Sequence, residues 1–514
     1  MNAPDCINAP VVVVGGGIAG LSTALGLEGC LLVADEPLGG GSSCLAQGGI
    51  AAALGADDAP ALHAADTLRV AAGLADAGVA GLVAEAAAGR IARLRELGVS
   101  FDAAPDGQPL LGREAGHVRD RIVHAGGDRT GAAVMRVLRA AVLQRSDIRR
   151  LEGYELVDII GCGGRAGGVL LEARDGSRLA VLAPHVVLAT GGVGACFDRT
   201  TNPPTSRGSG IAAAARRGIA LADLEFVQFH PTALDVEGDP LPLLTEALRG
   251  AGALLVDGTG RRFMTSAHPD AELAPRDVVA RTIALRRLAG ERTWLDVTQV
   301  PDLERHFPGA AGIARAAGFE PTRDPLPVTA AAHFHMGGIV TDAEGATSLP
   351  GLWACGEVAS TGLHGGNRLA SNSLLEGLVF GARVAQAVRR ARRPAPVGAP
   401  DVPYRDALTH TATPQRLQAL RQLVGRSLGP VRDGDAMTAA LAELARPGPA
   451  SRAEEDLVSV ARLLLAAALE RRESRGSHFR RDCPEPSAAG TARRIVRPAA
   501  APVLPLAALQ SRVA

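Results

Sequence analysis

The feature that most constrains the fold of this chain is a run of four valines at residues 11–14, followed at once by a glycine-rich turn. Consecutive β-branched residues are typical of a buried parallel strand, and the apolar residues from Leu21 onward begin a helix. The turn between them has the spacing GxGxxG. Gly15 allows the tight turn, Gly17 lets the backbone approach a pyrophosphate, and Gly20 lets the helix pack against the strand. The sequence therefore predicts a dinucleotide-binding unit.

Two further features favour a bound dinucleotide over a merely structural loop. Residues 30–34 have the pattern of a second buried strand, and the acidic pair Asp35 and Glu36 follows it. An acidic residue about 20 positions after the glycines is where a ribose hydroxyl is bound. Small residues then dominate residues 42–52, so that a flat ring or a phosphate can approach the backbone closely.

The composition argues against several classes of protein. The 514 residues carry no formal net charge, which gives no reason to expect a nucleic acid or an anionic membrane as a partner. No apolar run reaches the roughly 18 residues of a membrane span, and the N-terminus lacks the features of a signal peptide, so we expect a cytoplasmic protein. Seven scattered cysteines without a CxxC spacing argue against disulfides and against a metal site.

The rest of the chain shows an insertion and a separate C-terminal part. A second buried strand ends in an Ala-Thr-Gly-Gly turn at residues 186–192, which again brings the backbone near a nucleotide, whereas residues 224–338 have the pattern of an inserted domain. Residues 391–403 carry four prolines and are typical of a linker. Apolar residues at helical spacing then predict three amphipathic helices in a small bundle.

Two charged segments leave alternatives open. Residues 113–131 combine charges and histidines with glycines, and they form either a solvated loop or a loop that presents a carboxylate or histidine to a ligand. Residues 471–482 are too charged for a core. They form either a solvated end or a segment docked on the main body.

Taken together, the motifs resemble those of the succinate dehydrogenase/fumarate reductase flavoprotein family, and within it those of the bacterial L-aspartate oxidases. The resemblance extends over about residues 11–484. The segments that carry it are residues 15–20, 46–49, 224–234, 243–250, 273–281, 331–338, 363–377 and 473–482. It implies an α/β fold with a Rossmann-like FAD-binding domain, an inserted α+β capping domain and a C-terminal helical bundle. The expected boundaries are 1–222 and 337–392 for the FAD-binding domain, 223–336 for the cap and 404–514 for the bundle.

The resemblance implies FAD as the cofactor. Succinate-oxidising members attach FAD to a histidine just before the Ala-Gln-Gly loop, and residues 42–45 contain none, so we expect non-covalent FAD. Ser209 stands where relatives have an aspartate that bonds to the cofactor. The residues that match cofactor contacts of the family are Gly15, Gly16, Gly17, Ile18, Ala19, Gly20, Asp35, Ser42, Ser43, Ala46, Gln47, Gly48, Gly49, Ser209, Glu357, Ser373 and Leu374.

The resemblance also implies a four-carbon dicarboxylate held between the FAD-binding domain and the cap. Two carboxylates need cations and donors, for which arginine forks are suited. Arg276 and Arg368 match the arginines of the family, and Arg276 also matches the residue that shuttles protons. His230, His333 and Thr245 match further carboxylate donors of the family. Gln228 matches an amide that lines the site, and Glu114 matches the glutamate that faces a substrate amine.

The activity implied by the resemblance is oxidation of L-aspartate to iminoaspartate, the first step of de novo NAD biosynthesis. FAD accepts a hydride from the substrate Cα and passes the electrons to O2, giving hydrogen peroxide, or to fumarate, giving succinate. Functional coupling to quinolinate synthase is expected. The alternatives are a soluble fumarate reductase or succinate-oxidising flavoprotein, oxidation of a related amino dicarboxylate, and a non-catalytic flavin-binding subunit. A nucleotide-disulfide reductase is disfavoured because the first helix lacks paired cysteines.

The two residues after His333 depart from the family pattern near the predicted site. After His333 the family usually has tyrosine followed by threonine or asparagine, and this chain has Phe334 and His335. We expect His335 either to add a cation near the substrate or to pair with the edge of the flavin.

Overall fold

The computed structural model describes residues 5–105, 107–391, 399–403, 413–446 and 451–506. Its strands, in chain order, are β1 (Asp5–Asn8), β2 (Val12–Val14), β3 (Cys30–Ala34), β4 (Ile50–Ala51), β5 (Leu111–Gly112), β6 (Ile122–Val123), β7 (Ile148–Glu152), β8 (Tyr154–Cys162), β9 (Arg165–Ala173), β10 (Arg178–Leu182), β11 (Val186–Leu188), β12 (Leu221–Ala222), β13 (Val227–Leu234), β14 (Leu254–Asp257), β15 (Thr293–Asp296), β16 (Leu326–His335), β17 (Gly338–Val340), β18 (Leu352–Ala354), β19 (Ala359–Ser360), β20 (Asp401–Pro403), β21 (Ile495–Val496) and β22 (Val503–Pro505).

The α-helices are, in chain order, α1 (Ile18–Gly26), α2 (Gly41–Leu45), α3 (Pro60–Val70), α4 (Ala77–Glu96), α5 (Thr130–Leu143), α6 (Ser209–Arg216), α7 (Ala247–Gly250), α8 (Arg276–Leu288), α9 (Leu303–His306), α10 (Pro308–Ala316), α11 (Asn372–Arg390), α12 (Pro414–Leu428), α13 (Gly434–Leu444) and α14 (Arg452–Glu470). Strands and helices alternate around a parallel sheet, so the predicted α/β fold class is confirmed.

The parallel sheet has the strand order β18–β11–β2–β3–β7, and the valine run of the sequence lies at its centre. Val12 pairs with Val186 on one side and with Leu31 on the other. One face of the sheet packs on α1, α4, α5 and α11, and the other packs on an antiparallel sheet. Burial on both faces is why these strands consist of uninterrupted apolar residues.

The antiparallel strands β8, β9 and β10 form a meander, within a sheet of order β1–β10–β9–β8–β20–β22. The outer strands of this sheet, β20 and β22, show that the linker predicted at residues 391–403 is wrong in part. Residues 392–398 lie outside the described residues, but Asp401–Pro403 pairs antiparallel with Val503–Pro505 and therefore forms part of a sheet. The predicted domain boundaries stay predictions. The short strands β21 and β22 after α14 pair with the earlier strands β12 and β20, so the described residues after α14 are not purely helical.

The inserted part is built on an antiparallel sheet of order β13–β16–β15–β14, with α7 to α10 around it. Residues 253–263 resemble a hairpin in sequence, and the backbone forms one. The N–H of Asp257 donates to the carbonyl of Arg261 at 3.0 Å, and the N–H of Phe263 donates to the carbonyl of Leu255 at 3.3 Å. β14 also pairs along its length with β15, about 40 residues further on.

The three predicted amphipathic helices near the C-terminus are present as α12, α13 and α14, and they pack on one another. Ser451 caps α14 by accepting a hydrogen bond from the backbone N–H of Glu454. The charged segment after α14 is docked on the main body. Arg471, Glu473 and His478 are all buried, and Arg471 pairs with Glu225, 246 positions away in the chain.

Within the described ranges, none of the helices is both long enough and apolar enough to span a bilayer.

Candidate active site

A cavity of about 400 Å³ runs along the carboxyl ends of β2, β3 and β11. Val14, Asp35 and Ala189, at the ends of those three strands, line it, as does the first turn of α1. In an open parallel sheet this edge is where ligands bind, and the N-terminus of α1 directs free N–H groups and a partial positive charge toward it. We call it the larger cavity.

The glycines of the turn are required by close backbone contacts. Gly15 has φ +128°, and a Cβ there would lie 2.0 Å from the carbonyl oxygen of Ala189. A Cβ on Gly20 would lie 1.9 Å from the carbonyl oxygen of Gly15. Neither position can carry a side chain, so the reasons inferred from the sequence for Gly15 and Gly20 agree with the geometry.

The polar groups of the larger cavity fit FAD. Thr190 Oγ1 and Gln47 Oε1 are buried and have no hydrogen-bond partner among the described residues, as expected for groups that bond to a ligand. Burial, together with the neighbouring Glu36, raises the pKa of Asp35 to about 6, and burial raises the pKa of Glu357 to about 7. A ribose hydroxyl and ring N–H groups are suitable donors to these carboxyl groups.

The structure brings most of the predicted cofactor residues to this cavity. It is lined by Gly15, Gly16, Gly17, Ile18, Ala19, Asp35, Ser42, Ser43, Ala46, Gln47, Ser209, Glu357, Ser373 and Leu374. Gly20 packs behind the turn, and Gly48 and Gly49 line a neighbouring smaller cavity. Arg207, Arg452 and Asp456 also line the larger cavity and were not among the predicted residues. Arg452 and Asp456 belong to α14, and no local pattern shows that this helix reaches a glycine turn more than 400 residues away.

The smaller cavity has a volume of about 60 Å³ and adjoins the larger one. The residues that line both are Ala46, Gln47, Leu243, His333, Ser373 and Leu374. Six of the seven predicted substrate-site residues line the smaller cavity: Glu114, His230, Thr245, Arg276, His333 and Arg368. The chain thus brings these side chains together from six separate segments, beside the predicted flavin position.

Arg276 is held from two directions. Its Nε donates to a carboxylate oxygen of Glu246, and its Nη1 donates to Gln228 Oε1 at 3.2 Å. The other oxygen of Glu246 accepts from Arg249 Nη2 at 2.9 Å. Burial raises the pKa of Glu246, but Arg276 and Arg249 lower it more, so its pKa lies below its ordinary value. Arg276, Glu246 and Arg249 therefore form one buried, hydrogen-bonded ionic chain.

Two of these positions modify the predicted site. Gln228 is fully buried and lines neither cavity, so it lies behind Arg276 rather than in the cavity wall. Glu246 lines the smaller cavity and was not among the predicted site residues. Its spacing of three residues from Arg249 on a helical turn was the available signal.

Arg368 is buried and lacks a carboxylate partner among the described residues. Its Nη1 donates to Ser373 Oγ at 2.8 Å, its Nε has no partner there, and its guanidinium lies 4.8 Å from the centre of the Phe334 ring. Burial and the nearby Arg276 lower the pKa of Arg368 to about 9. A buried cation without a counter-ion is costly, so this cavity is suited to an anion.

The two histidines of the smaller cavity are neutral donors or acceptors. Their ring centres are 5.0 Å apart, and burial with the neighbouring arginines holds the pKa of both well below the ordinary value. The backbone N–H of Thr232 donates to His230 Nδ1 at 3.3 Å, which leaves the ring proton on Nε2. His333 Nδ1 is 2.8 Å from Thr201 Oγ1.

Glu114 is buried and accepts a hydrogen bond from Ser371 Oγ at 2.7 Å. A Cβ added to Gly48 would lie 3.2 Å from its other oxygen, so the carboxylate lies directly beside the small-residue loop. The segment 113–131 thus presents a carboxylate to the cavity, while Arg113 and Arg119 remain exposed.

Neither expectation for His335 holds. Its side chain lines neither cavity and bonds to the carbonyl of Leu224, and burial lowers its pKa to about 4.

Comparisons with known proteins agree with this geometry. A family model described as "FAD binding domain" matches residues 10–374, and one described as "Fumarate reductase flavoprotein C-term" matches residues 451–496. The quinol fumarate reductase flavoprotein of E. coli has a similar structure, with a TM-score of 0.84 and 26% identity over 94% of this chain and 93% of the other.

Sequence relatives are closer. The L-aspartate oxidase of Mesorhizobium japonicum is 46% identical over 494 residues, which cover 95% of this chain and 94% of that protein. The L-aspartate oxidase of Caulobacter vibrioides is 44% identical over 487 residues, which cover 92% of this chain and 93% of the relative. Identity at this level over nearly the whole length identifies a family: the chain is a FAD-binding flavoprotein and belongs to the L-aspartate oxidases.

Proposed function

We propose that this protein binds FAD non-covalently in the larger cavity and oxidises L-aspartate to iminoaspartate in the smaller one. The substrate loses two electrons and two protons. The electrons pass to O2, giving hydrogen peroxide, or to fumarate, giving succinate. The reaction would be the first step of de novo NAD biosynthesis.

The observation that carries the proposal is the distribution of charge in the smaller cavity. Arg276 and Arg368 supply two guanidinium groups, and Arg368 has no carboxylate partner in the described part of the chain. His230 and Thr245 add neutral hydrogen-bonding groups. Two carboxylates of a small substrate can therefore be bound there, and the remaining carboxylate of Glu114 suits a substrate ammonium group.

The roles of these side chains follow from their partners. FAD, when bound, supplies the two-electron acceptor. Arg276 and Arg368 would fix the position of the substrate by binding its carboxylates, and such positioning accounts for much of an enzyme's rate enhancement. The hydrogen-bonded chain from Arg276 through Glu246 to Arg249 can hold a proton near the reacting carbon.

A soluble fumarate reductase or succinate-oxidising enzyme would use the same cations, and Glu114 distinguishes the two functions. A carboxylate in the substrate cavity repels a plain dicarboxylate but attracts an amino dicarboxylate. We also propose functional coupling to quinolinate synthase, because an imine hydrolyses in water and has to be consumed soon after its release.

The test is anaerobic reduction of the FAD-loaded protein, followed as loss of the flavin absorbance, with L-aspartate and with succinate in parallel. We expect reduction by L-aspartate alone. Reduction by succinate alone would replace the proposal with the succinate-oxidising function. A protein that binds FAD but is reduced by no dicarboxylate would instead be a non-catalytic flavin-binding subunit.

A further inference from the structure

Asn367 is a buried side chain to which the proposed function gives no role. It is 3% exposed and lines neither cavity. Its Nδ2 donates to Asp277 Oδ1 at 2.9 Å, and its Oδ1 accepts from Gln228 Nε2 at 2.8 Å. Asn367 precedes α11, whereas Asp277 lies in the first turn of α8 and Gln228 lies in β13. One side chain therefore joins three separate elements.

The chemistry of the partners sets the direction of each hydrogen bond. A carboxylate only accepts, so the nitrogen of Asn367 has to face Asp277, and its oxygen is left for Gln228. The amide nitrogen of Gln228 consequently faces Asn367, and it also donates to the carbonyl oxygen of Arg368 at 2.9 Å. Only Gln228 Oε1 then remains to accept from Arg276.

The reverse orientation of Gln228 would be costly. It would place the amide N–H2 against the guanidinium of Arg276, and the amide oxygen against the oxygens of Asn367 and Arg368. Each of these groups is buried, and leaving a buried polar group without its hydrogen-bond partner costs about 1–3 kcal/mol of stability. Arg276 is adjacent in sequence to Asp277, so the chain of bonds begins and ends at the same turn of α8.

We propose that Asn367 and Asp277 are positioning residues that fix the orientation of Gln228 and, through it, the guanidinium of Arg276. The inference rests on the proposed function, in which Arg276 binds a substrate carboxylate. Neither residue lines the cavities, so an effect of Asn367 or Asp277 on the substrate is indirect, and their hydrogen bonds lead to it through Gln228 and Arg276.

An exchange of the two side chains tests the direction of these bonds. In Asn367→Asp, two carboxylates face each other and separate. In Asp277→Asn, nothing forces the nitrogen of Asn367 away from Gln228. The double variant Asn367→Asp/Asp277→Asn restores a donor at position 277 and an acceptor toward Gln228, with the original net charge.

We expect each single variant to lower kcat/KM for L-aspartate by on the order of 100-fold, because a small displacement of a binding group is enough for such a loss. The double variant should regain most of this loss. The dissociation constant for succinate, measured by its perturbation of the flavin spectrum, should follow the same pattern. The affinity for FAD should stay unchanged in all three variants. Asp270→Asn, on the exposed surface of the inserted part, is the matched control and should behave as the wild type.

Single variants that bind succinate and turn over L-aspartate like the wild type would overturn the inference. A double variant no better than the weaker single variant would also overturn it. If a single variant does not fold, the double variant alone decides, because it has to match the wild type closely. If the wild-type protein binds succinate but does not oxidise L-aspartate, the proposed function fails, and succinate binding by the variants still tests the inference.

Discussion

Arg368 and Arg471 are both buried arginines, and they differ in what surrounds them. Arg471 donates to the carboxylates of Glu225 and Glu473 and to the carbonyl oxygens of Gly490 and Ala492. Burial lowers the pKa of Arg471, but the two carboxylates raise it more, so it lies above its ordinary value. Burial and the nearby Arg276 lower the pKa of Arg368 to about 9, and no carboxylate in the described residues is paired with it.

The difference separates a structural cluster from a binding site. The protein itself satisfies Arg471, so its charge contributes to holding the C-terminal segment on the main body. Arg368 is incompletely satisfied, and a substrate anion supplies what is missing. An unpaired buried charge destabilises the empty protein. We therefore infer that the buried charge of Arg368 lowers the free energy of unfolding of the substrate-free protein. Binding of a substrate anion relieves this cost, which favours ligand binding.

The largest effect is expected for Arg368→Leu. Removing the guanidinium should lower kcat/KM for L-aspartate by roughly 1,000-fold or more, equivalent to about 4 kcal/mol, since a buried charge contact to the substrate is lost. The melting temperature of the substrate-free protein should not fall. Steady-state kinetics and thermal unfolding measure the two quantities. A variant that loses stability but keeps its activity would show that Arg368 is structural.

Arg471→Leu should have the opposite profile. It leaves Glu225 buried without its cation, while Glu473 keeps Arg475 as a cation, and this should lower the free energy of unfolding by about 3–4 kcal/mol. The folded protein at low temperature should still bind succinate with the affinity of the wild type. Denaturant unfolding and succinate titration provide the measurement, with the exposed Arg462→Leu on α14 as control. Wild-type stability in the Arg471 variant would contradict the comparison.

Glu114→Gln tests whether a charge or only a polar group is needed beside Gly48. The amide keeps the shape but loses the negative charge, so kcat/KM for L-aspartate should fall by about 10- to 100-fold, or 1.5–3 kcal/mol. Succinate, which has no ammonium group, should bind at least as well as to the wild type. Parallel titrations with both ligands decide the matter: equal losses for both would mean that Glu114 does not select the amine.

The sequence predicted best what depends on neighbours along the chain. The valine run, the GxGxxG turn and the three amphipathic helices are short-range patterns, and each is present where expected. Of the predicted substrate-site residues, only Gln228 lies away from the cavity wall. That set came from whole motifs of a family rather than from single residues.

What could not be predicted depends on partners distant in sequence. The charged segment at 471–482 was compatible with a solvated end or a docked segment, because the partner that buries Arg471 is Glu225, 246 positions away. In the same way, Glu246 pairs with Arg276 from 30 positions away, and Asn367 joins two elements of the inserted part. Burial of a charge is decided by such partners and leaves no periodic pattern in the sequence.

The smallest effect is expected for His335, which lies between the substrate site around Arg368 and the structural cluster around Arg471. Its backbone N–H donates to Glu357 in the larger cavity at 2.8 Å, whereas its ring donates to the carbonyl of Leu224, beside the partner of Arg471. The side chain therefore belongs with the structural cluster. His335→Leu should lower the free energy of unfolding by only about 1 kcal/mol at pH 7, because one hydrogen bond is lost.

The pH dependence of His335→Leu sharpens the same point. Burial lowers the pKa of His335 to about 4 from 6.5, so the unfolded chain binds a proton first as the pH falls. The wild type therefore loses stability between about pH 6.5 and 4 through this residue, and the variant should lose less over that range. Succinate affinity between pH 6 and 8 should be the same in both proteins, because His335 stays neutral there. A variant with altered pH dependence of succinate binding would place His335 with the site after all.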